Sequence, residues 1–188
     1  MPMFTHLQQR ALLTLARGAI SAAVLRSRVT ATPPEDDAFT RPLGVFVTLK
    51  QRGELRGCIG FPEAHVPLRE AVTQAAVSAA LRDPRFPPVA ARELDSLRLE
   101  ISVLSPLAAA APEEVVVGTH GLVIEHEQAR GLLLPQVPVE WGWDRETFLR
   151  QICRKAGLPP DAWQRGARLF TFTAEVFSEE ETPEPAAE

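Results

Sequence analysis

Apolar residues first recur three and four positions apart. Leu7, Ala11, Leu12, Leu15, Ala19, Ile20 and Ala23 share one face of a predicted helix. Thr5 and Gln8 just ahead have the spacing of a capping box, and the helix is expected to end near Arg26. Thr30 to Arg41 holds two adjacent prolines and three acids and reads as a loop. Val45-Phe46-Val47-Thr48-Leu49 then reads as a strand, Gln51-Arg52-Gly53-Glu54 as a turn, and Leu55 to Gly60 as the partner strand of a hairpin. Pro67 suits a helix start. Leu68, Ala71, Val72, Ala75, Ala76 and Ala79 form a stripe of mostly small side chains, so this helix is expected to pack close to its neighbour. Asp83-Pro84 stops it, because proline disfavours helical backbone in the residue before it.

Leu97, Leu99, Ile101 and Val103 alternate with Arg98, Glu100 and Ser102, the pattern of a half-buried strand. A short strand is expected at Glu114 to Val117, and a second hairpin over Leu122 to His126 and Gly131 to Leu134. Asp144 can cap a helix carrying Phe148, Leu149, Ile152 and Cys153 on one face, with Gly157 closing it. Ala167 to Val176 reads as a last strand. Ser178 to Glu188, rich in acid and proline, is expected to be disordered. No internal repeat is visible. Turn-linked strand pairs with helices between them predict an α+β fold with a mainly antiparallel sheet.

At 188 residues the chain fits one domain, or one domain with a small lobe, and a hydrophobic share of 45% suffices for a core. A net charge of −4 argues against duplex DNA, which needs a basic stripe to neutralise phosphates. It leaves room for a small anionic ligand held by a few arginines. The 18 arginines against two lysines, with no tyrosine or asparagine, can be read as phosphate recognition or thermostability, but a GC-rich genome accounts for them more simply, and composition alone carries no site information. Two cysteines are too few for a disulfide scaffold. With no secretory signal at Met1 to His6, and no apolar run near the roughly 20 residues that span a bilayer, a soluble cytoplasmic protein with reduced thiols is expected.

Candidate chemistry centres on Leu55-Arg56-Gly57-Cys58-Ile59-Gly60. In a regular strand Leu55, Gly57 and Ile59 face one way and Arg56, Cys58 and Gly60 the other. Arg56 and Cys58 are then roughly 7 Å apart at the backbone, near enough for the guanidinium to favour a thiolate. Cys58 can be a nucleophile, a redox thiol or a metal ligand. Its plain alternative is a small buried hydrophobe. Gly57 is expected to face the core and admit the alanine-rich helix, and Gly60 to leave room beside Cys58. Cys153 sits on an apolar helical stripe and reads as core.

Glu100 can be a general base if its sheet face lines a cleft, or simply a solvated group. His120, beside Gly121, can orient or deprotonate a ligand, or make a local turn bond. His126, six residues further on, is roughly 20 Å away along a strand, too far to share an ion. No paired-cysteine or HExxH spacing supports a metal site, and no phosphate loop or serine-hydrolase elbow occurs. No cofactor is implied. Arg85 can bind an anion or cap the preceding helix. Gln136, Glu140, Trp141 and Trp143 fall on an apparent proline-rich loop that reads equally as a binding loop or as a lid over a core edge.

Several of these segments occur together. The LRGCIG stretch, Arg82-Asp83-Pro84-Arg85-Phe86, Leu132-Leu133-Leu134-Pro135-Gln136-Val137, Trp141-Gly142-Trp143 and Lys155-Ala156-Gly157-Leu158 stand in the order of the AMMECR-type domain family. From about the first helix to Phe177 the chain resembles that family. The resemblance implies one domain over residues 1–177, built as a larger and a smaller lobe sharing a cleft, followed by a tail over 178–188. It strengthens Asp83 and Arg85 as binding residues. It also implies a relation to "protein A" of a gene group that encodes Memo-like and radical SAM proteins. Two functions stay open: a ligand- or partner-binding module, and a thiol-dependent enzyme using Cys58 activated by Arg56 on a small anionic substrate.

Overall fold

The structure is a computed structural model that describes residues 3–27, 35–63 and 65–179. Its elements run α1 (His6–Val24), β1 (Val45–Gln51), β2 (Glu54–Phe61), α2 (Leu68–Leu81), β3 (Leu97–Leu104), β4 (Ala108–Ala109), β5 (Gly121–His126), β6 (Ala129–Leu133), α3 (Gln136–Glu140), α4 (Arg145–Lys155), β7 (Arg168–Phe172) and β8 (Ala174–Ser178). The fold is α+β. Its strands form two four-stranded sheets, ordered β2-β1-β3-β8 and β4-β7-β5-β6. The chain divides into two compact units, one reaching Val103 and resuming at Glu175, the other spanning Leu104–Ala174.

In the first unit β1 pairs antiparallel with both β2 and β3. Val45, Val47 and Leu49 of β1 and Leu97, Leu99, Ile101 and Val103 of β3 turn to one side and are buried with the apolar faces of α1 and α2. Thr5 and Gln8 form the expected capping box: the Thr5 N–H donates to Gln8 Oε1 at 2.9 Å, and the Gln8 N–H to Thr5 Oγ1 at 3.3 Å. The small stripe of α2 brings that helix onto β2. A Cβ built on Gly57 would stand 2.3 Å from the Ala79 carbonyl oxygen, closer than any side chain tolerates.

The strand carrying Cys58 departs from simple alternation. Leu49 faces Gly57 but Lys50 faces Leu55, so Arg56 is the extra residue of a β-bulge. The expectation that Leu55 points into the core with Gly57 and Ile59 is therefore wrong. The bulge turns Leu55 to the Lys50 side, where it is 42% exposed.

The second unit buries Leu122 and Ile124 of β5 against Phe148, Leu149, Ile152 and Cys153 of α4. Asp144 caps α4, accepting the Thr147 N–H at 2.7 Å, and Gly157 closes it with a φ of +72°. Three expectations fail here. The strand predicted at Glu114 to Val117 is a 3-10 turn over Pro112–Glu114 followed by irregular chain, and the strand that exists nearby is β4. Pro135 to Trp143 is not a loop throughout, since Gln136–Glu140 is a short helix. The single strand predicted at Ala167 to Val176 is two strands, β7 and β8, in different sheets with Thr173 between them.

The boundary drawn at Phe177 also moves. Ser178 ends β8, and Glu179 binds Arg17 through both carboxylate oxygens while Oε2 accepts the Leu99 N–H at 3.0 Å. The rest of the predicted tail, 180–188, lies outside the described residues, as does most of the first half of the loop predicted from Thr30.

Candidate functional site: the Cys58 row and its clasp

Cys58 on β2 faces Thr48 on β1, and Thr48 faces Glu100 on β3, so the three form one row across the sheet. The face is the one turned away from the buried side chains of β1. Cys58 points its own N–H off the sheet edge, where Asp83 Oδ2 accepts it at 2.8 Å. Cys58 and Thr48 are thus a narrow, non-hydrogen-bonded pair, the kind that brings side chains closest. The Thr48 hydroxyl reaches the Cys58 sulfur at 3.2 Å.

Asp83 is 4% exposed and fully engaged. It accepts the Arg85 N–H at 3.1 Å and the guanidinium through Nε at 3.0 Å and Nη2 at 2.7 Å. Arg85 Nη2 also donates to the Cys58 carbonyl oxygen at 3.2 Å. Asp83 and Arg85 together satisfy both outward backbone groups of Cys58. The Arg85 guanidinium holds the Asp83 carboxyl well below its ordinary range, against the opposing effect of burial and with help from the N–H groups of Cys58 and Arg85. Arg85 is raised in turn, first by Asp83 and to a smaller degree by Cys58. Its side chain is 54% exposed and lies 5.5 Å over the Phe86 ring.

Arg56 is not the cation at the thiol. Its Nε and Nη2 bind Glu93 Oε1 and Oε2 at 2.8 and 3.1 Å, and Nη1 donates to the Pro87 carbonyl at 3.0 Å. The side chain is 12% exposed. Arg85 is the cation that contacts Cys58. Sequence reasoning missed this because it assumed an unbroken strand, and a bulge leaves no mark in the alternation of these residues. It also missed Thr48 and Glu93. Thr48 could have been found by pairing the two hairpin strands through their turn. Glu93 sits on a 3-10 segment, Ala91–Ser96, that gave no periodic signal.

The remaining candidates of this unit have local partners. Glu100 Oε2 receives Lys50 Nζ at 2.9 Å. It lies two strands from Cys58, roughly 10 Å at the backbone, with Thr48 between. Gly57 is occupied by packing against α2. Gly60 does not leave an open space. A Cβ there would lie 2.3 Å from Cδ1 of Phe46 and 2.5 Å from the Val45 carbonyl oxygen, so the Phe46 ring already covers it.

In the second unit His120 Nδ1 accepts the Val116 N–H at 3.2 Å, a local turn bond. Gln136 opens α3 and Glu140 ends it, both exposed. Trp141 is 70% exposed and its ring stacks on Trp143, with centroids 6.2 Å apart. Among the described residues no group of three or more His, Cys, Asp or Glu side chains could hold a metal ion, and no helix is long and apolar enough to cross a membrane.

Comparison with known proteins covers the whole fold. The AMMECR1 family model matches residues 13–177. Protein TK0174 of Thermococcus kodakarensis is 51% identical over 183 residues, covering 90% of this chain and 89% of its own. A protein of Methanothermobacter thermautotrophicus is 47% identical over 180 residues, covering 91% and 94%. The crystal structure of the uncharacterised protein PH0010 from Pyrococcus horikoshii superposes with a TM-score of 0.78 at 45% identity, over 95% of each chain.

Proposed function

The chain belongs to the AMMECR1 family, and from that premise we propose that it is a cytoplasmic ligand- or partner-binding module acting with Memo-like and radical SAM proteins. The observation that carries the binding reading is how the charges around Cys58 are used. Asp83 is engaged by Arg85 and the Cys58 N–H, Arg56 by Glu93, and Glu100 by Lys50. At the thiol itself the Thr48 hydroxyl donates to the sulfur. A nucleophile needs a base to take its proton, and here Asp83, Glu93 and Glu100 each already hold a cation. The arrangement stiffens an edge strand and presents a half-buried thiol, a hydroxyl and one arginine, which suits recognition better than turnover. The test is co-elution of the purified full chain with the Memo-like and radical SAM proteins of the same genome at micromolar concentrations. We expect a complex with at least one of them, retained by Cys58→Ser. Absence of any complex overturns the partnership.

A second reading keeps the thiol-dependent enzyme, with a changed cast. Arg85 lies against Cys58 and has a half-exposed guanidinium, so it and not Arg56 would stabilise a thiolate and meet a small anionic substrate. Turnover of any thiol-reactive substrate by the wild type, abolished in Cys58→Ser, would favour this reading over the first.

A further inference from the structure

At the tip of the β1–β2 hairpin the chain forms a hollow of about 540 Å³, within the range of small-molecule sites. Its wall is rigid. Pro87 and Pro88 form one side, and the Arg56–Glu93 pair another. That pair is locked, because Glu93 takes Arg56 through both oxygens and also accepts the Ala90 N–H at 2.8 Å. Arg56 and Glu93 neutralise each other, so the charge of the hollow is set by the rest of its lining. Arg52 and Arg92 supply two further guanidinium groups against one carboxylate, Glu54. Among the described residues neither Arg52 nor Arg92 has a hydrogen bond or ion pair, although Arg92 is near enough to Glu93 to help lower its pKa, after Arg56 and the Ala90 N–H.

We propose that this hollow binds a small phosphorylated molecule, with Arg52 and Arg92 as the phosphate-binding residues and the Arg56–Glu93 pair as the fixed wall behind it. Arginine's planar fork matches the tetrahedral oxyanion with two parallel N–H bonds. Two forks without partners of their own have donors to give at no loss of an existing bond. The volume is enough for a mononucleotide-sized ligand, and a net charge of −4 does not favour a duplex. The site lies at the hairpin tip, apart from the Cys58–Thr48–Glu100 row, and does not depend on what that row binds.

The test is calorimetric titration of the full chain with inorganic pyrophosphate at constant ionic strength, alongside amide chemical-shift mapping. We expect saturable binding at one site, with shifts concentrated at Gln51 to Glu54 and Ala90 to Glu93. Arg52→Ala and Arg92→Ala should each weaken it roughly tenfold, the loss of one bidentate contact. Arg165→Ala, an exposed arginine of the other unit, should leave it unchanged. Both hollow arginines are surface groups, so the variants should fold, and Arg52→Lys gives a second measure: it keeps the charge but loses the fork. The proposal is overturned by absence of saturable binding, by shifts located elsewhere, or by an equal effect of Arg165→Ala.

Discussion

The Asp83 carboxylate accepts the outward N–H of Cys58 at 2.8 Å while the arginine it holds, Arg85, donates to the Cys58 carbonyl. An edge strand normally exposes such a pair of groups to any other strand that could add to it. Here two side chains from the segment after α2 close it at the residue that bears the thiol.

That clasp gives the first prediction. Asp83 titrates below its ordinary value of 3.8 in the folded chain, so its contribution to stability is complete above that value and is lost as pH falls below it. Asp83→Asn should destabilise by roughly 1–3 kcal/mol at pH 7, since it leaves Arg85 without its counter-charge. The gap between the two proteins should narrow as pH falls through about 4 towards 2. Urea unfolding of both at several pH values measures it, and a gap that does not change with pH would show that the pair carries no such linkage.

Cys58 should be alkylated by iodoacetamide at pH 7 faster than Cys153, which is fully buried and whose pKa is raised by that burial. Arg85→Ala should slow the labelling of Cys58. Arg56→Ala should not, because Arg56 is held by Glu93. Equal slowing by both variants would return Arg56 to the thiol.

Both glycines of the strand should resist substitution. Gly57→Val drives a side chain into the Ala79 carbonyl and should cost roughly 1–3 kcal/mol. Gly60→Ala meets the Phe46 ring and the Val45 carbonyl, so it too should lower the urea midpoint, contrary to what an open cleft would allow. Adding Phe46→Leu to Gly60→Ala should recover part of the loss. No recovery would mean that the ring is not what fills the space.

Two truncations test the docking of Glu179. Cutting after Glu179 should leave Tm nearly unchanged. Cutting after Phe177 removes the carboxylate that binds Arg17 and caps the Leu99 N–H, and should lower Tm by about 5 °C or more. Equal thermal scans for the two truncated chains would contradict the docking of Glu179.

Much of the frame was legible because it is written in short-range chemistry. Thr5 with Gln8, Asp144 with Gly157, and the stripe from Leu68 to Ala79 are local signals, and each marks the element it should. Gly57 was readable for the same reason: a glycine beside a small-residue helix implies close approach. The errors have a shared cause. The Arg56 bulge, the Phe46 ring over Gly60 and the exchange of sheets at Thr173 are decided by partners far along the chain. Asp83 and Arg85 could be picked out as a pair, but their function as a clasp depends on a strand 25 residues earlier.

The division of the last strands has a consequence for how this chain is made. Strand β8 completes the first sheet, yet it leaves the ribosome only after all of the intervening unit from Leu104 to Ala174. That intervening unit is continuous and has its whole core in hand once Phe172 is synthesised. The first unit, although begun earlier, waits with β3 as an unfinished edge until Glu179 arrives. The stretch begun later can therefore settle before the sheet of the first unit is complete, since that sheet gains its last strand only when β8 returns to it.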